Sequence, residues 1–216
     1  MLTKKLLSVS LAAALVITAS TPAMAGPIYG FTGITANSPA NAATGEAQIR
    51  VEVSNPVGSG QVSFRFFNSG PIASSITDVY FDDGTLLGIA SVVNGQGVSF
   101  STPASPSDLP GGDQASPPFV ATAGFSADSD VPAVENGVNP GEQLTIVFDL
   151  VSGATYQSTL DALASGELRV GIHVQGFSSG GAGESFVNDG TVPEPSTVAL
   201  LGLGLAGLAA ARRRKQ

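Results

Sequence analysis

Asp128, Asp130 and Glu135 form the densest run of oxygen ligands in the chain, with Asn136-Gly137 following and Asp113 and Glu142 near in sequence. Ca2+ takes six to eight oxygens, and loops of β-domains supply such sets. These three acids are therefore the candidate Ca2+ ligands. The EF-hand spacing is broken, because Pro132 stands where a third Asp or Asn belongs. A solvated acidic loop accounts for the same residues without a metal. The single histidine, His173, lies between Ile172 and Val174 and so faces away from them on a strand. A Ser-His-Asp triad would need a nucleophile on a sharp turn of the Gly-x-Ser-x-Gly kind, and the sequence has none. Gly58-Ser59-Gly60 and Gly180-Gly181-Ala182-Gly183 lack the strand-to-helix setting of a phosphate cradle.

The chain holds seventeen Asp and Glu, so pairs of carboxylates suited to glycoside hydrolysis are easily found and discriminate nothing. Aromatic platforms for sugars are scarce, with no Trp and three Tyr, at positions 29, 80 and 156. Without cysteine there is no disulfide framework, thiolate metal site or cysteine nucleophile. The expectation is a protein with no catalytic residues and no resident cofactor, Ca2+ being the one candidate ion.

Charge is placed unevenly. Of the nine cations only Arg50, Arg65 and Arg169 lie in the middle of the chain, against every acid except Glu194. Such a surface repels phosphate backbones, which excludes nucleic acid as a partner. The remaining cations sit at the two ends, and each end has a pattern of its own.

Lys4-Lys5, an apolar run over 6–17 and the small residues Ala23 and Ala25 make a secretory signal peptide over 1–25. Signal peptidase would cut after Ala25, so that Gly26 leads the mature chain. At the other end Val192-Pro193-Glu194-Pro195-Ser196-Thr197 precedes an apolar stretch to Ala211, closed by Arg212-Arg213-Arg214-Lys215. The sixteen residues 196–211 fall just short of the ~17 that usually span a bilayer. A basic cluster after such a stretch stays on the cytoplasmic side and acts as the stop signal. The reading is a transmembrane helix that places the preceding domain outside.

These three parts, in this order, resemble the PEP-CTERM sorting signal of Gram-negative bacteria. The resemblance covers 192–216 and implies cleavage near Pro193-Glu194-Pro195 by an exosortase, a membrane transpeptidase-like protease. It further implies passage through the inner membrane and a link to exopolysaccharide and biofilm. It carries no information on the middle of the chain, which must be read from its own residues.

That middle alternates. Ala47, Ile49, Val51 and Val53 oppose Glu46, Gln48, Arg50 and Glu52, and Val62, Phe64 and Phe66 repeat the pattern. Leu144, Ile146, Phe148 and Leu150 form another such face, as do Val170, Ile172 and Val174. Asp82-Asp83-Gly84-Thr85 between two β-rich runs predicts a hairpin, and 119–125 reads as a further strand. One helix is predicted over 155–165, with Tyr156, Leu160 and Leu163 at helical spacing and Gly166 to end it. The predicted fold is mainly β, an antiparallel β-sandwich of Ig-like or jelly-roll type with one short helix. The predicted organisation is signal peptide 1–25, β-sandwich ectodomain 26–177, Gly/Ser-rich spacer 178–191 and sorting signal 192–216. A proline-rich loop over 101–118 is expected as an irregular excursion. Function is expected to be structural or interactive, at the cell surface or in an extracellular matrix of exopolysaccharide or biofilm. The alternative is a carbohydrate-binding module, Ca2+-dependent or not, with a carboxylate polysaccharide hydrolase behind it.

Overall fold

The computed structural model describes residues 26–56, 60–82, 86–122, 124–151 and 153–192. Ten strands run in chain order as β1 Ile28–Gly33, β2 Ile49–Ser54, β3 Gln61–Asn68, β4 Ser75–Asp82, β5 Leu86–Asn94, β6 Phe100–Ser101, β7 Ser126–Ser129, β8 Gln143–Leu150, β9 Arg169–Gln175 and β10 Glu184–Val192. Three helices, α1 Pro39–Gln48, α2 Ala133–Asn136 and α3 Tyr156–Ser165, and a 3-10 turn at Gly112–Gln114 complete the fold. The strands form a single sheet in the order β5-β8-β3-β2-β1-β10-β9-β4-β7-β6, with every pairing antiparallel. The expected mainly-β, antiparallel character is present. The two separate sheets of an Ig-like or jelly-roll sandwich are not, because the hydrogen-bond ladder is continuous from β5 to β6 and curls over one core.

Alternation explains the curl. Val51 and Val53 on β2, Val62, Phe64 and Phe66 on β3, Leu144, Ile146 and Phe148 on β8, and Val170, Ile172 and Val174 on β9 all enter one buried cluster. An apolar face of this width is covered when the far half of the sheet folds back onto it. Phe81 of β4 meets Phe64 at 5.0 Å and Phe148 at 4.6 Å between ring centroids, both edge to face, and Phe125 meets Phe148 at 5.5 Å. These rings join strands distant in sheet order. Truncating the fully buried Phe81 to Ala removes the hub and should cost about 3–5 kcal/mol.

Strand β4 is buried on both faces. A bulge at Thr77 shifts its register against β9, so that Ile76, Val79 and Phe81 share the core face while Asp78 and Tyr80 point outward. The outward face is covered by the proline-rich segment, which is not a free loop: Ala104, Leu109 and Phe119 pack with Tyr80 in a second cluster. Gly171 on β9 makes room for it, since a Cβ there would stand 2.8 Å from Leu109 and 2.9 Å from Phe119. Arg169 clamps the segment by donating to the carbonyls of Pro117 (2.6 Å) and Pro118 (2.7 Å) while pairing with Asp82.

Five expectations change. Residues 46–48 belong to α1, not to a strand, because Ser38 caps the helix and Pro39 occupies its first turn. Among the described residues three helices stand where one was predicted for the domain; α3 itself is as expected, with Thr155 and Ser158 in a capping box and Gly166 left-handed at φ 77°. Residues 119–122 and 124–125 are irregular and anchored by the buried Phe119 and Phe125, the strand beginning only at Ser126. β4 and β5 are both strands, but they do not form a hairpin. β4 pairs with β9 and β7, and β5 with β8. Finally, the segment 178–191 expected as a spacer is strand from Glu184 on: β10 lies inside the sheet between β1 and β9.

Candidate functional site

On the outer face, Asp78 faces Asp128 of β7 on one side and His173 of β9 on the other. The three line a recess of about 240 Å3 together with Thr77, Gln175 and Pro106. Asp78 is almost wholly buried, and each of its oxygens is engaged: Thr77 Oγ1 donates to Oδ2 at 2.8 Å and the Tyr80 hydroxyl to Oδ1 at 3.3 Å. Burial pushes its carboxyl up to about 6, the negative charge of Asp128 adding to this while the Thr77 and Tyr80 donors work the other way. Tyr80 is raised by burial and by the same acid, and its hydroxyl also reaches the carbonyl of Pro106 at 3.0 Å. His173 Nδ1 lies 2.9 Å from Ser185 Oγ. Burial lowers the imidazole, opposed by the charge of Glu184.

Chemically this is a carboxyl that exchanges its proton near pH 6 beside a half-exposed second carboxyl. Such a pair offers both hydrogen-bond acceptors and, on the protonated member, a donor. Its inner member is committed to Thr77 and Tyr80. Sequence reasoning missed the recess. The available signal was an Asp in the middle of Ile76-Thr77-Asp78-Val79-Tyr80-Phe81, since Asp is depleted from strand centres unless something there receives it.

The candidate calcium ligands do not converge. Asp128 is turned to Asp78. Asp130 accepts from Ser99 Oγ (2.6 Å) and Ser101 Oγ (2.9 Å), and these two donors hold its carboxyl below the usual value. Glu135 is exposed on α2. Among the described residues no three of His, Asp and Glu come together as a metal group.

Of the processing residues, Gly26 and Val192 are described, whereas Ala23, Ala25, Pro193, Glu194, Pro195, Arg212, Arg213, Arg214 and Lys215 lie outside the described residues. The predicted transmembrane helix lies outside them too; among the described residues no helix is long and apolar enough to cross a membrane. Gly26 is buried, its backbone N–H donating to Glu52 Oε1 at 3.0 Å. Ile28, two residues on, pairs directly with Val192. The two ends of the described domain therefore leave on neighbouring strands, at the same end of the sheet.

This is an antiparallel β-domain whose last central strand runs without a break into a C-terminal address. That address is identified by family comparison: residues 191–215 match the PEP-CTERM protein-sorting motif. The motif is that of exported proteins, anchored in the membrane until exosortase sorts them. No curated protein and no solved structure matches the chain.

Proposed function

We propose that this chain is an exported structural or interaction protein, delivered through a cleavable leader and released from its membrane anchor by exosortase at Pro193-Glu194-Pro195. Its β-domain then serves at the cell surface or in an extracellular matrix of exopolysaccharide or biofilm, without catalysing a reaction. The observation that carries this reading is the match of the tail to the sorting motif, joined directly to β10. Intact mass of the protein from the native host, medium and membranes taken separately, tests it. A species beginning at Gly26 and ending near Pro193 is expected. Replacing Pro193-Glu194-Pro195 by alanines should hold the protein in the membrane, and normal release of that variant would sink the sorting role.

A second reading, a carbohydrate-binding module, is favoured by the Asp78–Asp128 recess, whose acids and Gln175 suit sugar hydroxyls. Its Ca2+-dependent form draws no support from Asp128, Asp130 and Glu135, which diverge. Calorimetric titration with host exopolysaccharide fragments, with and without Ca2+, separates the two readings. Saturable heat lost in Asp128→Ala supports binding at the recess, and absence of heat leaves the structural role.

A further inference from the structure

Gly26 occupies a slot that accepts one residue type and one kind of group. Its Cα lies so close to the carbonyl of Val53 that a Cβ would overlap the oxygen, and Ser54 Cα stands 3.1 Å from the same point. Its nitrogen donates to Glu52 Oε1 at 3.0 Å. The other oxygen of that carboxylate is taken by Arg65, whose Nε stands 2.9 Å away, directly opposite on β3. Pro27 follows, giving no amide of its own, and its carbonyl accepts Val53 N at 3.0 Å. The carboxylate of Glu52, whose side chain is 12 % exposed, is satisfied on one side by a guanidinium and thus turns its second oxygen to the backbone nitrogen of residue 26.

We propose that the α-ammonium released at Gly26 by leader cleavage is a structural ligand of Glu52, so that processing itself locks the β1 end of the sheet. The proposal rests on cleavage after Ala25. Hydrolysis adds water across the Ala25–Gly26 amide: the Ala25 acyl carbon takes the hydroxyl, and the Gly26 nitrogen takes a proton and then, at neutral pH, a second. A neutral N–H donor becomes a cationic one on an already seated carboxylate, so a hydrogen bond charged on one side becomes an ion pair charged on both. A substituent on the nitrogen removes that charge. The charged and titratable groups around the pair are Glu52, Arg65, Tyr156 and Tyr29. Tyr156 is raised by burial and then by the charge of Glu52, and Tyr29 is raised by burial and then by Tyr156. An ammonium paired in the folded state has its pKa raised, so its contribution is present below about pH 8 and lost as the pH climbs through the folded value.

The sequence makes the test clean. Lys4 and Lys5 leave with the leader, Lys215 lies in the sorting tail, and no lysine falls between 26 and 192. The Gly26 amine is then the single amine of the doubly processed domain, and peptide mapping separates it from Lys215 in an anchored form. The exported protein from its host is treated with an amine-acylating reagent at pH 7.5, folded and in urea, and Gly26 labelling is followed by mass spectrometry. Labelling is expected to be slower in the folded protein, by about tenfold for each unit that pairing adds to the amine pKa. Glu52→Gln should abolish the protection. Should that variant fail to fold, Arg65→Gln, which keeps the carboxylate, should retain it. Equal labelling of folded and unfolded wild type, on a chain shown by mass to begin at Gly26, overturns the docked ammonium and leaves leader cleavage intact. A chain beginning elsewhere overturns both.

Discussion

Asp78 shows how one side chain sets the pH response of a domain. Its folded pKa of about 6 stands above the ordinary 3.8, so the native state holds the proton more tightly than the unfolded chain does. That stabilisation is whole below pH 3.8 and is lost as the pH rises through about 6. A gap of two units corresponds to roughly 3 kcal/mol. His173, facing Asp78 across the β4–β9 ladder, acts in the opposite sense: held neutral by burial, it favours the unfolded chain as the pH falls below the ordinary histidine range. Asp78→Asn isolates the acid, because the amide mimics the protonated carboxyl and leaves His173, Tyr80 and Asp128 in place. Urea unfolding of wild type and variant should give similar stabilities at pH 4. The variant should gain steadily on wild type toward pH 7, by up to about 3 kcal/mol. A constant difference across that range would mean that Asp78 titrates normally.

Elements were legible where a single strand face supplied the signal, and illegible where a distant partner decided. Ile49-x-Val51-x-Val53 and Val62-x-Phe64-x-Phe66 announce β2 and β3 from their own residues, as Thr155 and Gly166 announce the limits of α3. β10 does not. Its second half carries Asn188-Asp189-Gly190, poor strand formers by composition. It is a strand because β1 and β9 pair with it and Phe186 is buried. The Asp-Gly signal after β4 was local, whereas Phe81 packing on Phe64 and Phe148 sends β4 to the other half of the curl. The recess was hidden for the same reason, because Asp78, Asp128 and His173 are far apart in sequence and meet through register. α1 offers a test in which local and tertiary preferences disagree. Helix propensity alone makes Gly45→Ala favourable by about 1 kcal/mol. A Cβ at Gly45 collides with the ring of Phe186 beneath it, and overpacking costs about 1–3 kcal/mol. The variant is expected to be less stable in urea unfolding; a gain would show that the Phe186 ring moves aside freely.

For the whole molecule, the decisive geometry is where the two ends leave. Ile28↔Val192 and Tyr29↔Thr191 put them side by side, so a chain tethered at either end presents the same end of the sheet to the membrane. The register of β9 with β10 stops at Val187↔Gly171, and Asn188 Oδ1 takes the next β9 amide, Val170 N, at 2.6 Å. Here a cavity of about 510 Å3 opens between the end of α3 and residues 188–190. The last stretch of β10 is thus held in its backbone ladder by β1, the match to the sorting motif already begins within it at Thr191, and Pro193-Glu194-Pro195 comes next in sequence. Proteolysis proceeds where the backbone is free of pairing, so on the proposed cut at Pro193-Glu194-Pro195 exosortase works next to a strand that is paired up to Val192. On that proposal, opening Thr191 and Val192 from β1 becomes part of the processing step, drawn from the low-stability fraying of strand ends. Inserting six Gly/Ser residues between Val192 and Pro193 supplies about 12–15 Å of reach as a flexible coil. Pulse-chase in the native host should then show conversion from the anchored to the processed form several-fold faster than wild type. An unchanged rate would place the cut far enough into the tail that the strand end never enters the protease.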